Sequence, residues 1–430
     1  MAKMRKVLGS GLMLAALMMG TASQAETVRM WTFLNPEGQS PREVALAKII
    51  TDFEAANPEI DVVVEPQVWD QMTPKFLAAH GAGTAPDIIW VATDFLGDAI
   101  ASGSLADLNQ LFIKDWSDEK KASYKDANWD LTEIDGKQYG IFASRNYIAL
   151  LYRPDLLAEA GIKIDDIKTW DDLRAASEKL TLKDASGNVA RYGFSAAYSE
   201  QQPDPSPIIP RILGAGEQLF DAEGKANFAN DAGIEAQDFF VSMINDGISP
   251  AQAANWTVDD LFEQFASDRV AMVQGSAVRV SGLQAKMGAD KIGLALWPSE
   301  SGDKHDPGVV LGWSVGIWSG SKVQESASKF MDYMVGEPGD AIWAEVGGQI
   351  PGSTMTVAAL PEFFAKPENQ FLIIGAQGIR EAGWLTPVAF SVGGFRQELN
   401  KSIQGMLINK KDAKTALTEA QDAFNALHDR

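Results

Sequence analysis

Val28-Arg29-Met30-Trp31-Thr32-Phe33, Asp61-Val62-Val63-Val64 and Asp87-Ile88-Ile89-Trp90-Val91 read as three strands, and what lies between them decides the fold. After the first, Ser40-Pro41-Arg42-Glu43 opens a helix with a capping box and a proline in its first turn. Leu46, Ile50 and Phe53 repeat at helical spacing until Asn57-Pro58 stops the run. A second helix is expected over Met72–Ala79. The third strand is apolar from Ile88 to Val91, so both its faces are buried. Strand–helix–strand alternation with buried strands predicts an α/β fold whose parallel sheet is covered by helices on both faces.

The pattern resumes downstream. Tyr147–Tyr152 is strand-like, and Thr169-Trp170-Asp171-Asp172 opens another helix. Phe220-Asp221-Ala222-Glu223-Gly224-Lys225 suits a hairpin turn, and residues 401–427 read as helical with one polar side. No internal repeat or low-complexity linker interrupts the chain. At roughly 150 residues per domain, two α/β lobes are expected.

Upstream of Val28 the chain changes character. Lys3, Arg5 and Lys6 precede an apolar stretch from Val7 to Met19, and Thr21-Ala22-Ser23-Gln24-Ala25 supplies small residues. This is the pattern of a signal peptide spanning residues 1–25, cleaved after Ala25. The apolar stretch is shorter than the 18 or so residues of a spanning helix. The expectation is a soluble, exported, periplasmic protein. There are no cysteines, so no disulfides and no acylated cleavage site. The formal net charge of −21 disfavours nucleic acid and anionic lipid as partners.

Catalytic motifs fare poorly. Gly312-Trp313-Ser314-Val315-Gly316 fits G-x-S-x-G, whose chemistry needs a strand, a sharp turn, a helix and a histidine. Here Leu311–Trp318 alternates like a continuing strand, and only His428 follows. His80, His305 and His428 are far apart, and no phosphate-loop, dinucleotide or calcium-loop spacing occurs. No cofactor, metal or catalytic residue is expected. The many acidic residues leave open a carboxylate pair of the kind glycoside hydrolysis uses.

A further set of motifs carries a resemblance. In order, these are Ala85-Pro86-Asp87-Ile88-Ile89-Trp90 with Asp94, Gly136-Lys137-Gln138-Tyr139-Gly140-Ile141 and Leu151-Tyr152-Arg153-Pro154-Asp155-Leu156-Leu157. Thr169-Trp170-Asp171-Asp172-Leu173, Asp221-Ala222-Glu223-Gly224-Lys225, Ala271-Met272-Val273-Gln274-Gly275 and Gly347-Gly348-Gln349-Ile350-Pro351 complete it. Through them the chain resembles the family 1 extracellular solute-binding proteins of ABC importers, the maltose-binding-protein-like group. The resemblance implies a two-lobed periplasmic-binding-protein fold with a ligand cleft between lobes. It implies lobe one over residues 26–145 and 311–362, lobe two over 146–310 and 363–430, and strands crossing near residues 145, 310 and 362. It also implies a carbohydrate ligand, a membrane permease as partner of the closed form, and a monomer.

In such lobes ligands sit beyond the carboxyl ends of strands. The loops there are Thr32–Gln39, Val68–Asp70, Ala92–Asp94, Ser144–Asn146, Gly275–Arg279 and Gly312–Trp313. A sugar needs planar donors and acceptors and rings to stack on. Asp94 matches the family's sugar-binding aspartate, with helix capping as its other role. Asn146 falls where the family has a ligand-contacting glutamate. Gly275-Ser276-Ala277 matches a turn whose stacking tryptophan is missing here, so Trp69, Trp313 and Trp297 are alternative stacking surfaces. Asn35 and Gln39 lie in the first loop. Arg145, Arg279 and Arg396 fall near the expected cleft and open a second reading, an anionic or phosphorylated sugar or polyol. A secreted carbohydrate-active hydrolase on a similar scaffold is the third.

Overall fold

The computed structural model describes residues 25–201, 204–388, 392 and 394–428. The leader segment lies outside the described residues. Ten strands build one continuous sheet: β1 (Glu26–Thr32), β2 (Ile60–Pro66), β3 (Ile88–Ala92), β4 (Ile141–Tyr152), β5 (Leu182–Lys183), β6 (Val189–Ser195), β7 (Val270–Ser276), β8 (Gly293–Ala295), β9 (Gly308–Ile317) and β10 (Gly383–Leu385). β1 lies between β2 and β3, parallel to both, as the alternation predicts. The intervening helices Pro41–Ala56 and Met72–Ala82 supply the crossovers that parallel pairing requires. Glu43 caps the start of the first of them by accepting from the Ser40 amide at 3.0 Å, and Gly83 ends the second at φ 70°.

Two long strands join the halves. β9 runs antiparallel to β3 over Trp313–Ile317 and antiparallel to β4. β4 pairs with β9 through its first half and with β7 from Ile148 to Tyr152. β7 then lies parallel to β6. The sheet is therefore mixed rather than parallel throughout. The parallel rule holds where a helix connects neighbours and lapses where β4 and β9 pass between halves. Their approach is close enough that a β-carbon on Gly312 would lie 2.3 Å from the Ser144 carbonyl.

The apolar residues separate accordingly. A first cluster gathers Met30, Leu46, Phe53, Ile88, Trp90, Ala143, Val315, Phe330 and Trp343. The second half carries two clusters, because alternate residues of a strand face opposite sides. Ile148 and Leu150 enter one with Trp170, Phe194 and Leu399. Tyr147, Ala149 and Leu151 enter the other with Phe265, Val273, Ala344, Ile350 and Leu372. At the C-terminus the expected single helix is two, Phe395–Leu407 and Ala413–His428. The polar run Asn409-Lys410-Lys411-Asp412 breaks it, with Lys410 left-handed at φ 57° and Asp412 accepting from the Thr415 amide. Phe220 bridges Ala226 across the expected turn. Among the described residues, no helix is long and apolar enough to cross a membrane.

Candidate functional site

The carboxyl ends of β3 and β7 meet the middle of the crossing strands, and polar side chains collect there. Thr93, just after β3, donates its hydroxyl to the Gly312 carbonyl at 3.0 Å, which fixes the turn Thr93–Phe95 against β9. Asp94 in that turn is partly buried, and its Oδ1 accepts from the Thr386 hydroxyl at 3.2 Å. Thr386 is fully buried just past β10. Asp94 does not cap the helix Leu96–Ala101, whose N-cap has no side-chain bond. Its second oxygen remains an acceptor of the kind a hydroxyl-rich ligand uses.

Asn146 sits on β4 opposite Leu311, partly buried, its Oδ1 accepting from Ser276 Oγ at 2.7 Å. Ser276 and Gln274 share one face of β7, since they are two residues apart. Gln274 donates to Asp204, and Asp204 accepts from Arg396 Nη2 at 2.9 Å and from the Ser206 amide at 3.2 Å. The Asn146–Ser276 pair and the Gln274–Asp204–Arg396 chain thus lie on one face of β7. Gln274 Oε1 and Arg396 Nη1 are buried with no partner among the described residues. Groups of this kind are costly to leave unmatched.

The aromatic candidates divide. Trp313 is partly buried, its ring 4.8 Å from Phe33, which in turn meets Trp90 edge-on at 5.8 Å. Trp69 is 54 % exposed beside Val68 at 60 %. Trp297 is core: it is fully buried, stacks on Trp170 at 5.7 Å, and donates to the Ile148 carbonyl at 2.9 Å. Arg145 is likewise structural, buried between Asp126 and the Pro351 carbonyl. Asn35 and Gln39 are exposed and bond within their own turn, Asn35 Oδ1 to the Glu37 amide at 3.1 Å and Gln39 Nε2 to the Glu37 carbonyl at 3.5 Å. Arg279 follows β7, half-exposed, with Nη2 3.0 Å from Asp259. Sequence reasoning missed Thr386, Ser206, Asp204 and Gln274. The last alone had a signal, as a polar residue that continues the strand after the apolar run Val270–Val273.

Burial, and after it Arg279, push the Arg42 guanidinium down to about 10. The neighbouring Glu43 carboxyl is held below its ordinary value, first by its bond from the Ser40 hydroxyl.

Ser314 is no nucleophile elbow. It lies mid-strand between Val91 and Phe142, 1 % exposed, and a β-carbon on Gly140 would lie 2.1 Å from its oxygen. His80 accepts from Trp318 Nε1 at 3.0 Å, and His305 sits 3.1 Å from the Trp297 carbonyl. Neither reaches Ser314. Among the described residues, no three His, Cys, Asp or Glu side chains group as metal ligands.

Known proteins share this architecture. A protein of Brucella abortus (strain 2308) described as a binding protein is 26 % identical over 300 residues, 70 % of each chain. The maltodextrin-binding protein of Bacillus subtilis (strain 168) is 24 % identical over 317 residues, 72 % of this chain and 70 % of that one. Among solved structures, an ABC substrate-binding protein from Listeria monocytogenes in complex with cycloalternan superposes with a TM-score of 0.77 at 20 % identity, covering 94 % of this chain and 99 % of that one. The model of the bacterial extracellular solute-binding proteins matches residues 37–341, and with this two-lobed fold the chain belongs to that family.

Proposed function

We propose that this protein captures a sugar or oligosaccharide in the periplasm and delivers it to the membrane permease of an ABC importer, as a monomer and without chemical change. The observation that carries the reading is the meeting of Asp94, Asn146 and the Gln274–Asp204–Arg396 path with the Phe33–Trp313 ring pair at strand ends between two halves. Planar hydrogen-bonding groups beside rings suit a molecule with hydroxyls on its edges and C–H groups on its faces. The sugars bound by the Bacillus and Listeria relatives lend support. Trp69, Arg279, Asn35 and Gln39 complete the proposed rim.

In this reading lobe one comprises residues 26–145 and 311–362, and lobe two comprises 146–310 and 363–430. Passages near Arg145 and Val310 agree with the packing, since Ala143 and Val315 pack in the first cluster while Tyr147 and Val310 pack in the third. For the third passage, Ser353 still bonds Ser123 of the first half and Asp340 accepts from the Gly352 and Ser353 amides, whereas Phe364 and Leu372 pack in the third cluster, which supports a return near residue 362.

Calorimetric titration of the exported chain with neutral and acidic mono- and oligosaccharides tests the proposal. We expect saturable binding of at least one sugar, recovered intact, by a chain whose mass begins at Glu26. A chain that cleaves the sugar, or binds none, contradicts it.

A further inference from the structure

Arg42 stands in the first turn of the helix Pro41–Ala56, where the helix dipole disfavours a cation. Among the described residues no carboxylate pairs with it. The adjacent Glu43 is turned back onto Ser40 and the Asn35 amide. The Arg42 guanidinium instead lies over the Phe33 ring, 5.4 Å from its centroid, and Phe33 packs on Trp313 of the crossing strand. Arg42 is therefore drawn toward the candidate site rather than out to solvent.

Arg279 approaches from the other half. It ends the turn Ala277–Arg279 after β7, over the Phe262 ring at 5.6 Å, and its carboxylate partner Asp259 is itself 64 % exposed. The helices that follow the two arginines are held against one loop. A β-carbon on Gly347 would lie 3.1 Å from Ala45, one turn beyond Arg42. A β-carbon on Gly348 would lie 2.5 Å from Ser281, just beyond Arg279. The junction between the halves thus holds two guanidinium groups and one exposed carboxylate, and the charge of Arg279 acts on Arg42.

A partly buried, unpaired cation facing a like charge persists at a cost unless something offsets it. The offset with the right geometry is an oxyanion, which a guanidinium binds through two parallel hydrogen bonds. We propose that Arg42 and Arg279 together receive an oxyanion of the bound solute, so that the ligand is an acidic sugar carrying a carboxylate, phosphate or sulfate. The inference rests on the sugar-binding reading and narrows it. Because the arginines sit on opposite halves, the anion favours the closed state over the open one, and closure becomes conditional on charge.

The test uses the whole exported chain, the variants Arg42→Gln and Arg279→Gln, and thermal melting with calorimetry. The probes are sodium sulfate against sodium chloride at matched ionic strength, then glucuronate, glucose 6-phosphate, glucose and maltose. Sulfate should raise the wild-type midpoint above chloride by more than its general salting effect, and Arg42→Gln should shrink that gain without lowering the midpoint in chloride. At least one acidic sugar should bind with an affinity that falls tenfold or more in either variant. Equal sulfate gains in wild type and Arg42→Gln, or no gain in either, overturn the proposal. Maltose bound equally by wild type and variant, with no acidic probe bound, overturns it and leaves the sugar reading standing. A sulfate gain that depends on both arginines, with no sugar bound, keeps the oxyanion receptor and removes the sugar.

Discussion

Asp94 enters the proposed site through the Ala85–Trp90 motif and its place after a strand, and the structure removes its competing role as a helix cap. Replacing it by alanine deletes a charged acceptor and strands the Thr386 hydroxyl. A hydrogen bond to a charged group is worth about 1.5–3 kcal/mol, so Asp94→Ala should weaken sugar binding by roughly ten- to a hundred-fold. Asn146→Ala should cost less, because its bonds are uncharged. Calorimetry on the two variants checks both the size and the order, and wild-type affinity in the Asp94 variant would remove it from the site. Other residues were not legible. Trp297 and Trp313 have equal claims on composition, and only packing shows the first stacked on Trp170 and the second against Phe33. Arg145 looked like a cleft residue by position, but its side chain is consumed by Asp126 and Pro351.

At the scale of elements, local chemistry was the readable part. Thr169-Trp170-Asp171-Asp172 opens the helix Trp170–Leu180 through a reciprocal box, with the Asp172 amide 3.0 Å from Thr169 Oγ1 and the Thr169 amide 2.8 Å from Asp172 Oδ2. The bond from the Thr169 side chain, ahead of the backbone bonds, holds the Asp172 carboxyl below its ordinary value. A carboxyl depressed on folding contributes stability that is full above its unfolded pKa and lost as pH falls through the folded one. Urea midpoints followed on acidification should therefore converge for wild type and Asp172→Asn, with wild type the more stable near neutrality. Midpoints that stay parallel would deny the box its charge. What local chemistry left unread was the partner of each strand. β4 pairs with β9 and then β7, and β9 lies far along the chain from β3, so the antiparallel middle of the sheet has no short-range signature. The break at residues 408–412 was missed because helical periodicity continues on both sides of it.

The whole molecule is two halves joined by strands that belong to both. A hinge built from β4 and β9 can bend within a few residues while the clusters on either side stay packed. A solute that touches Asp94 on one half and Asn146 or Arg396 on the other binds the closed state better, and that difference drives closure. The chain has no cysteine, so Ala101→Cys and Ala285→Cys would carry the only spin labels, one on an exposed site of each half. The distance between these labels, measured with and without a saturating sugar identified by calorimetry, tests the account most directly. Capture by closure predicts a shorter, narrower distance with sugar, and a smaller shift when Asp94→Ala is added and the sugar is held at a concentration that just saturates the wild type. A distance unchanged by a sugar that calorimetry shows to be bound would contradict it.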